Sequence, residues 1–238
     1  MSALLTIHGL SKNFGGFAAL TEVSLEVAQG ERFGLIGPNG SGKTTLINCV
    51  SGLLRNDAGS IVFDGEELSR LPAYRRTRRG IARSFQVPRP FHSMTVLENL
   101  LVPSSYVAHL KDADGEARAM ELLQHIGLAD KAKAHASELS QVELRKLELA
   151  RAMASQPKLL ISDEAMAGLA GREVDEVLAI LFKLNESGIT IIMIEHIMQA
   201  VMRFSQRVVC LDAGRIICEG TPAAIVQNPD VQKAYLGA

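Results

Sequence analysis

Nine consecutive residues, Gly37-Pro38-Asn39-Gly40-Ser41-Gly42-Lys43-Thr44-Thr45, have the types and spacing of an anion cradle, G-x-x-x-x-G-K-[S/T]. Glycines let successive backbone N–H groups converge on one anion, and a helix beginning there adds the positive end of its dipole. In such a loop Lys43 reaches the β- and γ-phosphates of a nucleoside triphosphate, and the Thr44 hydroxyl holds Mg²⁺. The context is right. Arg32–Ile36 reads as a short buried strand, and Thr44–Val50 carries apolar residues at helical spacing.

A second set of candidates sits at the ends of apolar runs. Leu159-Leu160-Ile161-Ser162 ends in Asp163-Glu164. An Asp closing a strand beside a phosphate loop is the expected Mg²⁺ partner. The Glu that follows is placed to orient or deprotonate a water attacking the γ-phosphate. The continuous apolar strand Ile189–Ile194 ends in Glu195-His196, where α/β proteins bind ligands. Ile81–Gln86 reads as a strand closed by the Gln86 amide. Phe14 lies beside the pair Gly15-Gly16, so it either stacks on a purine or fills the core behind a hairpin turn.

These residues need an α/β scaffold. Residues 4–10 and 21–27 alternate apolar and polar, as half-buried antiparallel strands do. Gly59–Gly65 reads as a strand ending in a turn, and Arg75, Arg76, Arg78 and Arg79 as the solvated face of a short helix. Val87-Pro88-Arg89-Pro90 breaks regular structure. From Thr95 to Pro157 the apolar residues recur at helical spacing, with Lys111–Gly115 as a mobile loop. Residues 174–185 make an amphipathic helix, and 207–220 a hairpin leading to a C-terminal helix. The expected organisation is one domain over 1–238. Its core spans 1–86 and 158–238, and a helical subdomain is inserted at about 87–157.

The bulk numbers narrow the classes. With 25 basic and 26 acidic side chains the net charge is −1, without the basic excess of a dedicated nucleic-acid binder. No run approaches the ~18 apolar residues of a membrane span. The opening Met1–Thr6 lacks a secretory layout. Cys49, Cys210 and Cys218 have no metal-ligand spacing and read as reduced core thiols.

The order of phosphate loop, strand-Gln86, helical insertion, strand-Asp163-Glu164 and strand-His196 resembles the ATP-binding subunits of ABC transporters over essentially the whole chain. The resemblance implies a RecA-like α/β core with an antiparallel β edge, ATP and Mg²⁺ as ligands, and ATPase activity. It implies that Phe14 stacks on adenine, that Gln86 senses Mg²⁺ and the membrane partner, and that Asp163 belongs to the metal. It gives Glu164 the role of catalytic base and His196 a contact to the γ-phosphate. Arg83–Gln86, Met94–Leu100, Ile194–His196 and the ending Asn228-Pro229-Asp230 with Ala234–Gly237 are similar to the importers of branched-chain amino acids, amides and urea. Implied partners are a second ATP-binding subunit, as a heterodimer or a homodimer, and two membrane permease subunits. An extracytoplasmic binding protein is implied indirectly, and nucleic acid is not. The implied location is peripheral, on the cytoplasmic face of the membrane.

One segment departs from the family. Leu-Ser-Gly-Gly-Gln is replaced by Leu139-Ser140-Gln141-Val142-Glu143. In the family this segment caps the γ-phosphate held by the opposite subunit. Ser140 with Glu143 still forms a capping box, so a helix should start there. Val142 adds bulk, however, and Glu143 adds a carboxylate near a polyanion. Ala165 and Ala170 also stand where Pro and Asp or Asn are usual. The expectation is an asymmetric pair whose hydrolytic site is this chain's own loop completed by a partner. The competing readings are a non-transport ATPase acting on nucleic acid or ribosomes and a weakly hydrolysing regulatory module.

Overall fold

The computed structural model describes residues 3–110 and 112–236, and the readings placed on Met1, Ser2, Lys111 and Gly237 fall outside them. The chain opens with β1 (Ala3–Phe14) and β2 (Phe17–Ala28), joined by the Gly15-Gly16 turn into one long hairpin. Next come β3 (Arg32–Ile36), α1 (Lys43–Ser51), β4 (Ala58–Phe63), β5 (Glu66–Glu67), α2 (Ala73–Arg78) and β6 (Ile81–Ser84). Then follow α3 (Val96–Tyr106), α4 (Asp112–Ile126), α5 (Gln141–Met153), β7 (Leu159–Asp163) and α6 (Arg172–Glu186). The chain ends with β8 (Thr190–Ile194), α7 (Met198–Phe204), β9 (Arg207–Asp212), β10 (Arg215–Gly220), α8 (Pro222–Gln227) and α9 (Pro229–Leu236).

Two sheets result. A four-stranded antiparallel sheet has the order β2-β1-β4-β5, and a six-stranded sheet the order β10-β9-β3-β8-β7-β6. In the second sheet β9, β3, β8, β7 and β6 run parallel and only β10 is antiparallel. Its central strands are buried on both faces, which is why they read as unbroken apolar runs. Successive residues face different cores. Leu159, Ile161, Ile192 and Ile194 pack with β1, β2 and α1. Leu160, Ile191 and Met193 pack with the helices on the other side.

β6 and β7 are neighbours in the sheet, so the chain between them leaves the core and returns beside its exit. Two of its helices, α3 and α5, begin where polar side chains satisfy the first N–H groups. Thr95 with Glu98 and Ser140 with Glu143 both form capping boxes. Among the described residues no helix is long and apolar enough to cross a membrane.

Two expectations are corrected. Asp112–Gly115 is not a loop but the first turn of α4. The cost of Gly115, about 1 kcal/mol, is outweighed by the buried stripe Ala119, Leu122, Leu123 and Ile126. The arginine run is not wholly solvated. Arg75, Arg78 and Arg79 are exposed, but Arg76 is 1% exposed and donates to the carbonyls of Leu71, Cys49 and Val50. It satisfies Val50 O in the last turn of α1 and shares Cys49 O with Gly52 N–H.

Candidate functional site

The parallel order brings four strand ends together. β3 leads into the phosphate loop, β8 beside it leads to His196, β7 to Asp163-Glu164, and β6 to Gln86. Residues far apart in sequence thus meet at the carboxyl edge of one sheet, where open α/β sheets bind ligands.

The phosphate loop is shaped by contacts on all sides. Gly42, with φ of +106°, starts α1, and a Cβ there would lie 2.7 Å from Ala19 O. The β9–β10 turn braces the loop: Gly214 N–H donates to Ser41 O at 3.0 Å, while Gly214 O accepts from Thr21 N–H at 2.9 Å. Lys43 is 6% exposed, and its ammonium donates to Gly37 O at 2.7 Å and Pro38 O at 3.0 Å. Burial lowers its pKa, opposed by the charges of Glu164 and Asp163. A cleft of about 270 Å³ opens over the loop. Phe14, Asn39 to Thr45, Glu164 and His196 line it.

Phe14 is therefore not a core residue. It is 47% exposed, faces the cleft, and has Lys12 Nζ 5.5 Å from its ring centre. Glu164 has φ of +50°, a left-handed conformation rare outside glycine, and its N–H is fixed by Ile194 O at 2.8 Å. Its carboxylate is held from two sides: His196 Nε2 lies 2.9 Å from Oε1, and Gln86 Nε2 donates to Oε2 at 2.5 Å. Gln86, Glu164 and His196 form one bonded chain along the rim.

Asp163 sits behind the cleft. It is 7% exposed and paired with Arg83, which also donates to Asn48 on α1. Among the described residues no cluster of three or more His, Cys, Asp or Glu could hold a metal by itself. The oxygen donors near the loop, the Thr44 hydroxyl and the Asp163 carboxylate, are too few for a closed cage. They suit Mg²⁺, which keeps waters and takes phosphate oxygens.

Ser140, Gln141, Val142 and Glu143 do not line the cleft. The capping box is formed, with Glu143 Oε2 accepting from Ser140 N–H at 2.9 Å. Glu143 also pairs with Lys131 at 2.6 Å, which holds its pKa down and balances its charge.

Three charged residues with no role legible in the sequence also shape the site. Arg145 on α5 donates to Gln86 O and, at 2.9 Å, to Ala167 O, joining the helical region to both chain segments that leave the site. Glu195 is 3% exposed, accepts from Met166 N–H at 2.8 Å, and burial pushes its pKa up to about 7. Arg83 completes the set. Their signal was only a charged residue inside an apolar pattern, which does not name its partner.

Residues 20–167 match the ABC transporter family, and residues 215–238 match the family described as branched-chain amino acid ATP-binding cassette transporter. The chain belongs to the ABC transporter ATP-binding family. The high-affinity branched-chain amino acid transport ATP-binding protein BraF of Pseudomonas aeruginosa is 39% identical, and LivG of Escherichia coli 40%. Each alignment covers 98% of both chains. A crystal structure of an ATP-binding cassette of an ABC transporter in its ADP conformation superposes with a TM-score of 0.91 at 31% identity, covering all of both chains. A nucleotide-free cassette superposes with a TM-score of 0.90. The cassette is thus a nucleotide-binding ATPase subunit of a transport system, which implies membrane permease partners.

Proposed function

We propose that this cassette binds and hydrolyses ATP to power an importer of branched-chain amino acids or related amides and urea. The observation that carries the hydrolytic reading is Glu164, strained at the end of β7 and held between Gln86 and His196 on the rim of the phosphate-loop cleft. Residues 37–45 cradle the phosphates, with Gly37, Pro38, Asn39, Gly40, Ser41 and Gly42 shaping the loop and Thr45 continuing α1. Phe14 stacks on the adenine. As phosphates enter, Lys43 exchanges two carbonyls for their oxygens. Mg²⁺, held by Thr44 and Asp163 with Gln86 nearby, would withdraw charge from the β- and γ-phosphates. Glu164 orients and deprotonates the attacking water, and His196 contacts the γ-phosphate. The preference for these solutes rests on the names of the relatives and the C-terminal match.

The working unit in this reading is a single domain, with core 1–86 and 158–238 and a helical subdomain at about 87–157. It pairs with a second ATP-binding subunit on the cytoplasmic face of the membrane. A groove of about 380 Å³ between α2, β6 and α3 exposes Leu53, Phe91 and Tyr106 beside the Gln86 segment. We assign it to the permease subunits. An extracytoplasmic binding protein delivers the solute to those subunits, not to this chain. ATP favours the closed pair, and that difference in affinity drives the permease between its states.

The test is to tag the chain in its own cell, extract the membranes in mild detergent and identify what co-purifies. Two multi-span proteins and a second cassette support the importer, and a tested ligand of the associated binding protein names the solute. Ribosomes or nucleic acid alone would replace it with the non-transport ATPase.

A further inference from the structure

The phosphate loop is held at its entry by the far end of the chain. Gly37 N–H donates to the Tyr235 hydroxyl at 2.8 Å, across 198 positions of sequence. Tyr235 lies on α9, which packs on α8 and β10 and buries Val231 to 5% exposure. Gly37 has φ of +149°, and a Cβ there would stand 2.1 Å from Leu211 O and 2.6 Å from Ser41 Oγ. Its carbonyl accepts from Lys43 Nζ at 2.7 Å. The two peptides flanking Gly37 are therefore fixed by two side chains. One is the loop's own lysine, and the other comes from the last helix.

These two restraints differ in what happens when phosphates arrive. Lys43 is the loop's cation, so binding a polyanion draws it away from Gly37 O. The Tyr235 bond takes no part in that exchange. It becomes the remaining side-chain restraint on the junction between β3 and the loop. Because Gly37 sits against Ser41, a shift at that junction carries into the loop's interior. An N–H left there without an acceptor would cost the loop a hydrogen bond or force it to move.

We propose that Tyr235 is a positioning residue for the nucleotide: its hydroxyl holds the Ile36–Gly37 peptide, so that the phosphate loop keeps its binding shape once Lys43 turns to the phosphates. The inference rests on the assignment of residues 37–45 to ATP. It gives the C-terminal helix a part in nucleotide affinity.

The experiment compares Tyr235→Phe, Val231→Ala and Lys43→Ala with the parent chain. Binding of ATP and ADP is measured by calorimetry in EDTA, thermal unfolding without nucleotide, and ATP turnover with Mg²⁺. Tyr235→Phe keeps the ring, and we expect ATP and ADP to bind about fivefold more weakly, the worth of one neutral hydrogen bond. KM should rise by a similar factor while turnover at saturating ATP stays within about twofold. Val231→Ala loosens the helix but keeps the hydroxyl, so it should lower the unfolding temperature and weaken binding by clearly less than Tyr235→Phe does. Unchanged affinity in Tyr235→Phe would overturn the proposal, as would an equal loss in Val231→Ala. Nucleotide binding that survives Lys43→Ala would instead remove the phosphate-loop assignment itself.

Discussion

Arg83 reaches a single oxygen of Asp163 with two of its N–H groups, Nε at 3.1 Å and Nη2 at 2.6 Å, leaving Oδ1 outside the pair. The pair is nearly closed to water, each side chain being 9% exposed. A buried pair is worth little against a well-packed apolar replacement, but breaking one half strands a charge. Arg83→Met should therefore cost roughly 3 kcal/mol in urea unfolding. Adding Asp163→Asn should recover part of that loss. A cost below about 1 kcal/mol for Arg83→Met would mean that water replaces the guanidinium, since charges that stay dry cost more.

Glu164→Gln keeps the size of the side chain and its bond to Gln86 or His196, but cannot take a proton. ATP turnover of the assembled transporter should fall by about 10²- to 10⁴-fold, with nucleotide affinity preserved. In the proposed pair the partner's ATP would face this chain's altered Ser140–Glu143 segment, so the equivalent change in a partner cassette should matter less. Equal losses from the two substitutions would sink the asymmetry.

The same segment gives a gain-of-function test. Two copies of this chain bring two altered segments, so the pure protein should be a weak ATPase. Replacing Gln141 and Val142 with glycine and Glu143 with glutamine restores close backbone approach and should raise turnover at least about tenfold, one lost oxyanion-type contact being worth more than that. Lys131, paired with Glu143 at 2.6 Å, would then be free to face the phosphates. Vigorous turnover by the unmodified chain alone would remove the premise.

What could be read in the sequence was what lies close along the chain. The phosphate loop is nine contiguous residues, and Asp163, Glu164 and His196 each end an apolar run whose burial on both faces is visible as unbroken hydrophobicity. Phe14 could not be decided locally, because a hairpin places an aromatic in or out depending on what lies opposite. The contacts of Arg76, Arg145 and Tyr235 were not legible for a related reason. Their partners are backbone groups 27, 59 and 198 positions away, and a carbonyl or N–H carries no mark in the sequence. A run of four arginines looks solvated until the fold places one of them under the end of α1.

That arginine supplies a contrast. Arg76→Ala leaves the carbonyls of Leu71 and Val50 without their donor, leaves Cys49 O with Gly52 N–H alone and removes a buried side chain, and should cost about 3–5 kcal/mol in urea unfolding. Arg75→Ala, on the exposed side of the same helix, should stay within about 0.5 kcal/mol. Similar small effects for both would show that α1 ends as well against water as against a guanidinium.

Glu195 makes stability depend on pH in a stated direction. Burial raises its pKa from 4.5 to about 7, with the Met166 N–H, at 2.8 Å, and Arg145 opposing the shift. Between about pH 4.5 and 7 the folded chain keeps a proton that the unfolded chain releases. The contribution of Glu195 to stability therefore falls as pH rises through that window, and its full cost stands above pH 7. Glu195→Gln removes the titration and keeps an oxygen for Met166 N–H. The variant should match the parent near pH 4.5 and exceed it increasingly up to pH 8, by no more than roughly 3 kcal/mol. Urea unfolding of both proteins at four pH values checks this, and the comparison cancels the other groups that titrate in the same range. A difference that stays flat with pH would mean that Glu195 is ionised in the folded chain throughout, with Arg145 outweighing burial.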